Sequence, residues 1–144
     1  LHDGLGTGCD LAAVAQERAA FWNALAEDDG RDAAARIAVG PLWVRMAEDE
    51  AVAAIDALLT NVFTHTPDGT AYSVEVTAPG DGRAVLVVRD HGRRGVSGGA
   101  STGLGLDIVR HAAERAGGRV RFEVPPGGGL EVTVELPLVE ARPA

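Results

Sequence analysis

Apolar side chains recur at helical spacing in three parts of the chain. The clearest stripe predicts a helix from Glu48 to His65, with acidic residues in its first turn, where the positive end of a helix dipole favours them. A first helix is predicted from Asp10 to about Glu27, with Asp10 as N-cap, and a third from about Gly103 to Ala116. The stripe of the Glu48 helix consists of Val52, Ile55, Leu58, Leu59, Val62 and Phe63, and that of the first helix of Leu11, Val14, Phe21, Trp22 and Leu25.

Short apolar runs bounded by glycine and proline predict six strands. Turn segments at residues 79–82 and 125–129 join the third strand to the fourth and the fifth to the sixth as hairpins. A doubly wound parallel fold has helices between most strands, so the hairpins argue against it. The order therefore predicts a two-layer α/β sandwich, with a mixed sheet covered on one face by helices. The predicted strands cover about Ala34–Val39, Leu42–Met46, Ala71–Thr77, Ala84–Arg89, Arg119–Val124 and Leu130–Leu136.

Composition narrows the possible partners. The 144 residues suit one domain, and no apolar run reaches membrane-spanning length. A formal net charge of -8 argues against nucleic acid or an anionic membrane as the main partner. All 13 basic residues are arginine, which excludes a phosphate loop of the Gly-x-x-x-x-Gly-Lys type. The single Cys9 permits no internal disulfide, which is consistent with a reducing compartment.

Glycines alternate with leucines where the third predicted helix begins, as Gly103, Leu104, Gly105 and Leu106. The start of a helix exposes backbone N–H groups and the positive end of the macrodipole. Glycine lets a phosphate group approach that backbone closely. The segment from Ser101 to Arg110 therefore predicts a site for an anionic group.

Asn61 lies in the middle of the second predicted helix, away from its apolar stripe. Ala54, Ala57 and His65 share its face, so this face has room for a ligand. An amide oxygen is a suitable ligand for Mg²⁺, which keeps other positions for phosphate oxygens and water. The alternative is an asparagine that simply faces solvent.

Asp90 ends a predicted strand and is followed by His91 and Gly92. A carboxylate at this position can accept a hydrogen bond from an exocyclic amine, and such a group selects a nucleotide base. An aspartate that only begins a turn is the alternative.

In order along the chain, residues 57–67, 90–92 and 101–110 resemble the N, G1 and G2 boxes of the catalytic ATP-binding domain of bacterial sensor histidine kinases. This family lies in the wider group of gyrase-type, heat-shock-chaperone and mismatch-repair ATPases. The resemblance covers about residues 10–138, with residues 1–9 as a junction from an upstream region and 139–144 as a C-terminal tail.

The resemblance implies a Bergerat-type sandwich with ATP between the second helix and the glycine loop. Asn61 would coordinate Mg²⁺ and act as the catalytic residue, and Asp90 would bind the adenine amino group. His65 would lie by the phosphates or ribose. Thr102 would contact phosphate through its hydroxyl or serve as an ordinary N-cap. The other implied nucleotide-binding residues are Gly92, Gly103, Leu104, Gly105 and Leu106.

Four departures from the family pattern bear on activity. Ala57 stands where ATPase relatives have a general base, and Asp56 points about 100° away around the helix. Thr64 stands where the family often has a basic residue. The G1 box continues as Arg93-Arg94 without its second glycine, and the segment before Ser101 is short. Arg93 and Arg94 are either phosphate ligands or solvated surface residues.

These features predict the ATP-binding domain of a two-component sensor histidine kinase. It would bind Mg·ATP and donate the γ-phosphoryl to a histidine on the phosphoacceptor and dimerisation domain of the same kinase, with a response regulator downstream. We expect a cytoplasmic piece of a longer protein that makes no direct contact with membrane or nucleic acid. The alternatives are a degenerate, non-catalytic module and a protein serine kinase of the anti-sigma-factor type. Phe21 and Trp22, interpreted as a junction to an upstream helical domain, favour the histidine kinase over the serine kinase.

Overall fold

The computed structural model describes residues 8–92 and 103–140. Three helices occupy the predicted positions: α1 (Leu11–Asp28), α2 (Glu48–His65) and α3 (Gly103–Arg115). The predicted N-cap of α1 is confirmed, because the Ala12 N–H donates to Asp10 Oδ1 at 3.1 Å. The same oxygen accepts from the Leu42 N–H at 2.9 Å, so Asp10 also fixes the segment that leads to α2.

Seven strands form two sheets within the described residues. The main sheet has five strands in the order β2-β4-β5-β7-β6, and only the β2–β4 pair is parallel. A separate antiparallel ribbon pairs β1 with β3. The strands are β1 (Cys9–Asp10), β2 (Ala33–Ile37), β3 (Trp43–Val44), β4 (Tyr72–Thr77), β5 (Arg83–Asp90), β6 (Arg119–Glu123) and β7 (Glu131–Pro137).

The helices cover one face of the mixed sheet, as the sequence predicts. In β5, alternate side chains are buried beneath the helices and the others are half-buried on the opposite face. On α2 the predicted stripe is buried at Ile55, Leu58, Leu59 and Val62, which pack into the same core. This two-layer arrangement brings the C-terminal end of α2 close to the end of β5.

Two expectations are wrong in part. On α1, Leu11 and Val14 are buried, but Phe21 is 50% and Leu25 39% exposed. The Phe21 ring is covered by the Arg18 guanidinium at 4.5 Å instead of by the core. Trp22 and Ala26, in the same half of α1, do pack against the core, so apolar spacing alone did not separate these residues from the exposed Phe21.

The strand expected at Leu42–Met46 is reduced to Trp43–Val44, and it pairs with Cys9–Asp10 instead of joining the main sheet. The partner strand is too short to produce an apolar alternation that could be recognised in the sequence. The C-terminal strand continues into this ribbon, because the Val139 N–H donates to the Trp43 carbonyl at 2.9 Å. Among the residues described, no helix combines the length and the apolar character that crossing a membrane requires.

Candidate functional site

Asp90 lies at the end of β5 with its side chain completely buried. Its backbone N–H donates to the Leu130 carbonyl at 3.1 Å, which links it to the segment that enters β7. Its Oδ1 accepts from the Gly92 N–H at 3.1 Å. A carboxylate is expensive to bury unless donors compensate, so this position is built to keep an acceptor out of bulk water.

Two glycines lie next to Asp90 where a side chain would be excluded, at Gly129, or crowded, at Gly92. A Cβ at Gly129 would lie 2.3 Å from the Asp90 carbonyl oxygen and 3.1 Å from Oδ1. Gly129 also has a φ of +87°, a conformation that favours glycine. A Cβ at Gly92 would lie 3.1 Å from the Thr66 methyl and 3.3 Å from the Thr70 methyl. The backbone therefore closes around this carboxylate on two sides.

A cavity of about 480 Å³ lies between the C-terminal end of α2 and the end of β5. It joins His65, predicted from the N box, to Gly92, predicted from the G1 box. Its volume is in the range of sites for small molecules and cofactors. The lining residues are His65, Thr66, Pro67, Gly69, Thr70, Ala71, His91 and Gly92.

Asn61 is half-buried on α2, one turn from Ala57 on one side and from His65 on the other. The start of α3 lies across from this face, since a Cβ built on Gly105 would be 3.9 Å from the Ala57 methyl. That distance is an ordinary contact, so packing does not require glycine at position 105. The structure thus brings the predicted glycine segment to the helix that carries Asn61.

The amide oxygen of Asn61 suits the magnesium ion that the sequence predicts. No cluster of three or more His, Cys, Asp or Glu side chains able to hold a metal exists among the described residues. A magnesium ion held by one amide oxygen, with phosphate oxygens and water completing its shell, requires no such cluster. The chemistry of Asn61 beside a helix start is compatible with that arrangement.

Asp56 belongs to a different set of contacts from Asn61. Its carboxylate accepts two hydrogen bonds from Arg18, at 2.9 and 3.0 Å, and one from Trp22 Nε1 at 2.9 Å. The Trp22 ring packs against Phe63 with centroids 5.1 Å apart. Asp56 therefore fixes α1 to α2, and its oxygens are turned toward α1.

Arg31 lies behind the cavity wall, and sequence reasoning missed it. Its side chain is fully buried and donates to Thr66 and Thr70, both of which line the cavity. Burial raises the pKa of the neighbouring Tyr72 phenol, and the positive charge of Arg31 partly offsets this effect. A lone arginine after the turn at Asp28-Asp29-Gly30 carries no sequence signal that would have identified it.

A second cavity of about 370 Å³ does not fit a nucleotide. Its lining includes three carboxylates, of Asp10, Glu17 and Glu48, which would repel phosphate groups. Cys9 also lines it, and burial together with the Glu48 carboxylate raises the pKa of this thiol to about 11. The thiol is therefore protonated at neutral pH, as expected of a structural cysteine.

The predicted site residues fall into three groups. His65 and Gly92 line one cavity, and Asp90 is buried directly beside Gly92. Asn61 lies on the adjoining face of α2, with Gly105 near it, and Leu106 is buried in the core. Gly103 and Leu104 open α3, whereas Thr102, Arg93 and Arg94 lie outside the described residues.

Known proteins share this architecture. Residues 46–140 match the family described as histidine kinase-, DNA gyrase B-, and HSP90-like ATPases. The chain is 31% identical over 120 residues to the sensor-like histidine kinase SenX3 of Mycolicibacterium smegmatis, covering 67% of this chain and 30% of that protein. The catalytic domain of histidine kinase ThkA superimposes with a TM-score of 0.77 at 18% identity, covering 91% of this chain and 94% of the other.

The chain belongs to the histidine kinase-, DNA gyrase B-, and HSP90-like ATPase family. The resemblance to ATP-binding domains of sensor histidine kinases is confirmed, and so is the two-layer fold. Full-length ShkA in complex with AMPPNP also superimposes, with a TM-score of 0.75 at 20% identity, covering 93% of this chain and 31% of that one. The chain spans 8 to 30% of the length of the curated sensor kinases it matches.

Proposed function

We propose that this chain is the catalytic domain of a sensor histidine kinase, which binds Mg·ATP and donates its γ-phosphoryl group to a histidine on a separate phosphoacceptor domain. The observation that carries the proposal is the buried Asp90 carboxylate beside Gly92, at the edge of a cavity that also reaches α2. An acceptor removed from water and fixed by the backbone suits the recognition of an adenine amino group. The AMPPNP complex of the structurally similar ShkA supports a nucleotide in this fold.

Different residues would bind the base and the phosphates of the nucleotide. Asp90 accepts from the base, and His65 lies by the ribose or phosphates. The backbone N–H groups at the start of α3, where Gly103 and Gly105 carry no side chain, would bind the phosphates. Asn61 would supply an amide oxygen to Mg²⁺, which would neutralise phosphate charge.

Transfer to a protein is favoured over hydrolysis because, among the residues of α2, no carboxylate is positioned to activate water. Ala57 has none to offer, and Asp56 is engaged by Arg18 and Trp22. The domain then acts by positioning and charge neutralisation, and the acceptor histidine is the nucleophile. Its partners are the phosphoacceptor and dimerisation domain of the same kinase and a response regulator downstream, and it works in the cytoplasm.

Calorimetric titration with ADP and ATP, with and without Mg²⁺, tests the nucleotide site. Asp90→Asn is expected to weaken both nucleotides by about 10- to 100-fold, the range for a lost hydrogen bond to a charged group. Asn61→Ala is expected to weaken ATP only when Mg²⁺ is present. A parent chain that binds neither nucleotide at millimolar concentration would instead support the alternative of a module that signals by contact alone.

The acceptor is tested with the phosphoacceptor domain of the same kinase and labelled ATP. Label that is lost in acid identifies phosphohistidine. Label that survives acid on a protein serine would support the anti-sigma-factor type of kinase. Asp90→Asn in the same reaction separates transfer by this domain from labelling by a contaminating kinase.

A further inference from the structure

All the N–H groups of the buried Arg31 guanidinium are directed to acceptors. Nε donates to Asp29 Oδ2 at 3.3 Å. Nη1 donates to Thr66 Oγ1 at 2.8 Å and to the Thr70 carbonyl at 3.1 Å. Nη2 donates to the carbonyls of Thr66 and Phe63, at 3.2 and 3.4 Å. An arginine has five N–H donors, so each one has a partner here.

Apart from the Asp29 carboxylate, the acceptors lie in one short segment, the end of α2 and the turn after it, and three of them are backbone carbonyls. Carbonyls at a helix C-terminus lack partners within the helix, and a positive charge there is favourable. The guanidinium also lies over the Phe63 ring, 4.4 Å from its centroid. Lysine has only three N–H donors on a single atom, so it could not reproduce this set.

The same turn forms part of the cavity wall beside Gly92. The Thr66 and Thr70 methyls crowd the space that a side chain at Gly92 would enter. The Gly92 N–H in turn donates to Asp90. Neighbouring groups therefore link Arg31, through the two threonines, to Gly92 and the buried carboxylate.

We infer that Arg31 is a positioning residue for nucleotide recognition, which holds residues 66–70 against Gly92 and so sets the space beside Asp90 into which the base fits. The inference rests on the proposed function. The turn after α1 would then influence nucleotide affinity and base selection, although Arg31 itself does not line the cavity. Loss of the guanidinium leaves several buried carbonyls and a hydroxyl without a donor, and the turn relaxes to find water.

The test compares Arg31→Met and Arg31→Lys with the parent chain, at a temperature where circular dichroism shows each fully folded. Both variants are expected to bind ADP about tenfold or more weakly, since small displacements of a supporting group carry large costs. The preference for ADP over GDP is expected to fall with the affinity. Backbone amide exchange is expected to rise within residues 66–70 and at Gly92.

Arg83→Met is the matched control, because Arg83 pairs with Asp81 and Glu135 at the opposite end of β5. It is expected to leave the affinity for ADP and the base preference unchanged. If Arg31→Met does not fold, Thr66→Val serves in its place. It keeps the methyl group against Gly92 and removes the hydroxyl that accepts from Arg31 at 2.8 Å and donates to the Val62 carbonyl at 2.6 Å.

A folded Arg31→Met variant with parental ADP affinity and an unchanged ADP-to-GDP ratio would overturn the inference and leave the proposed function standing. The same result from Thr66→Val would overturn it where the arginine variant does not fold. A parent chain that does not bind ADP would overturn the proposed function, and this inference with it. Reduced stability with no change in affinity would show that Arg31 only caps α2.

Discussion

Gly129 and Gly105 both border the candidate site, and the packing of the protein constrains only the first. At Gly129 a methyl group would lie 2.3 Å from the Asp90 carbonyl oxygen, whereas at Gly105 it would meet only the Ala57 methyl, at 3.9 Å. The glycine beside Asp90 is therefore required by the fold itself. The glycine beside α2 is not, although it weakens the helix that contains it. A residue that costs stability and that packing does not need is most simply explained by a ligand.

The polar groups differ in the same way between the side of the site near Asp90 and the side formed by α2. Beside Asp90, Arg31 donates to the Thr66 hydroxyl, the Gly92 N–H donates to Asp90, and the Thr66 methyl lies close to Gly92. On the α2 side, Asn61 is half-buried among small side chains. We expect substitutions on the first side to change stability and binding together, and substitutions on the second side to separate them.

Gly129→Ala is the substitution with the largest expected effect. The left-handed φ and the approach to Asp90 together should lower the free energy of unfolding by about 2 kcal/mol or more, because backbone atoms must move. ADP affinity should fall as well, since those atoms belong to Asp90. Urea unfolding and calorimetry measure the two effects.

Gly127→Ala is the control for this substitution. Gly127 has a similar φ of +94°, but a Cβ there would meet nothing within 4 Å. Its cost reports the backbone strain alone, and ADP binding should be unchanged. If Gly127→Ala and Gly129→Ala lower stability and ADP affinity equally, the close approach of Gly129 to Asp90 is not the cause.

Asp56→Ala is expected to have the next largest effect, on stability only. Arg18 and Trp22 would lose their acceptor, which should lower the free energy of unfolding by about 1–2 kcal/mol. Nucleotide affinity should not change, because the Asp56 oxygens are turned toward α1. Thr60→Ala, at an exposed position of the same helix, is the control and should be close to neutral. A fall in affinity would place Asp56 in the site after all.

Gly105→Ala has the smallest expected effect on stability. It separates stability from nucleotide affinity most clearly, because the two should change in opposite directions. Alanine should raise the free energy of unfolding by up to about 1 kcal/mol, since the methyl fits and alanine favours a helix. Under the proposed function, affinity for Mg·ATP should nevertheless fall, because the methyl would hinder the approach of phosphate to the backbone at the start of α3. Glu114→Ala, on the exposed face of the same helix, should leave affinity unchanged. A more stable variant with full affinity would remove Gly105 from the site.

Local patterns predicted the parts of this molecule that depend on neighbouring residues in the chain. The stripe of α2, the N-cap at Asp10 and the two hairpins are fixed by spacing, side-chain chemistry or turn composition, and each is present. The resemblance then brought together positions that lie far apart in sequence. His65 and Gly92 do line one cavity, while their roles remain predictions.

The residues that were missed depend on contacts between distant segments. Arg31 meets Thr66 across 35 positions, and nothing near Arg31 in sequence marks it. In the sequence, Gly129 belongs to a hairpin turn, and only the pairing of β7 with β5 shows that it lies against Asp90. Phe21 and Trp22 share the predicted stripe, but only Trp22 packs against the core, because apolar spacing does not show which residues of a stripe meet a distant segment.

The sheet order also bears on how the protein is made. β7 follows β6 along the chain, yet it lies inside the sheet between β5 and β6, and the Asp90 amide needs the Leu130 carbonyl just before it. A growing chain that already carries Asn61, His65 and Asp90 therefore cannot complete the wall beside Asp90 until the β6–β7 hairpin has left the ribosome. Under the proposed function, we expect chains that stop before this hairpin to bind nucleotide weakly.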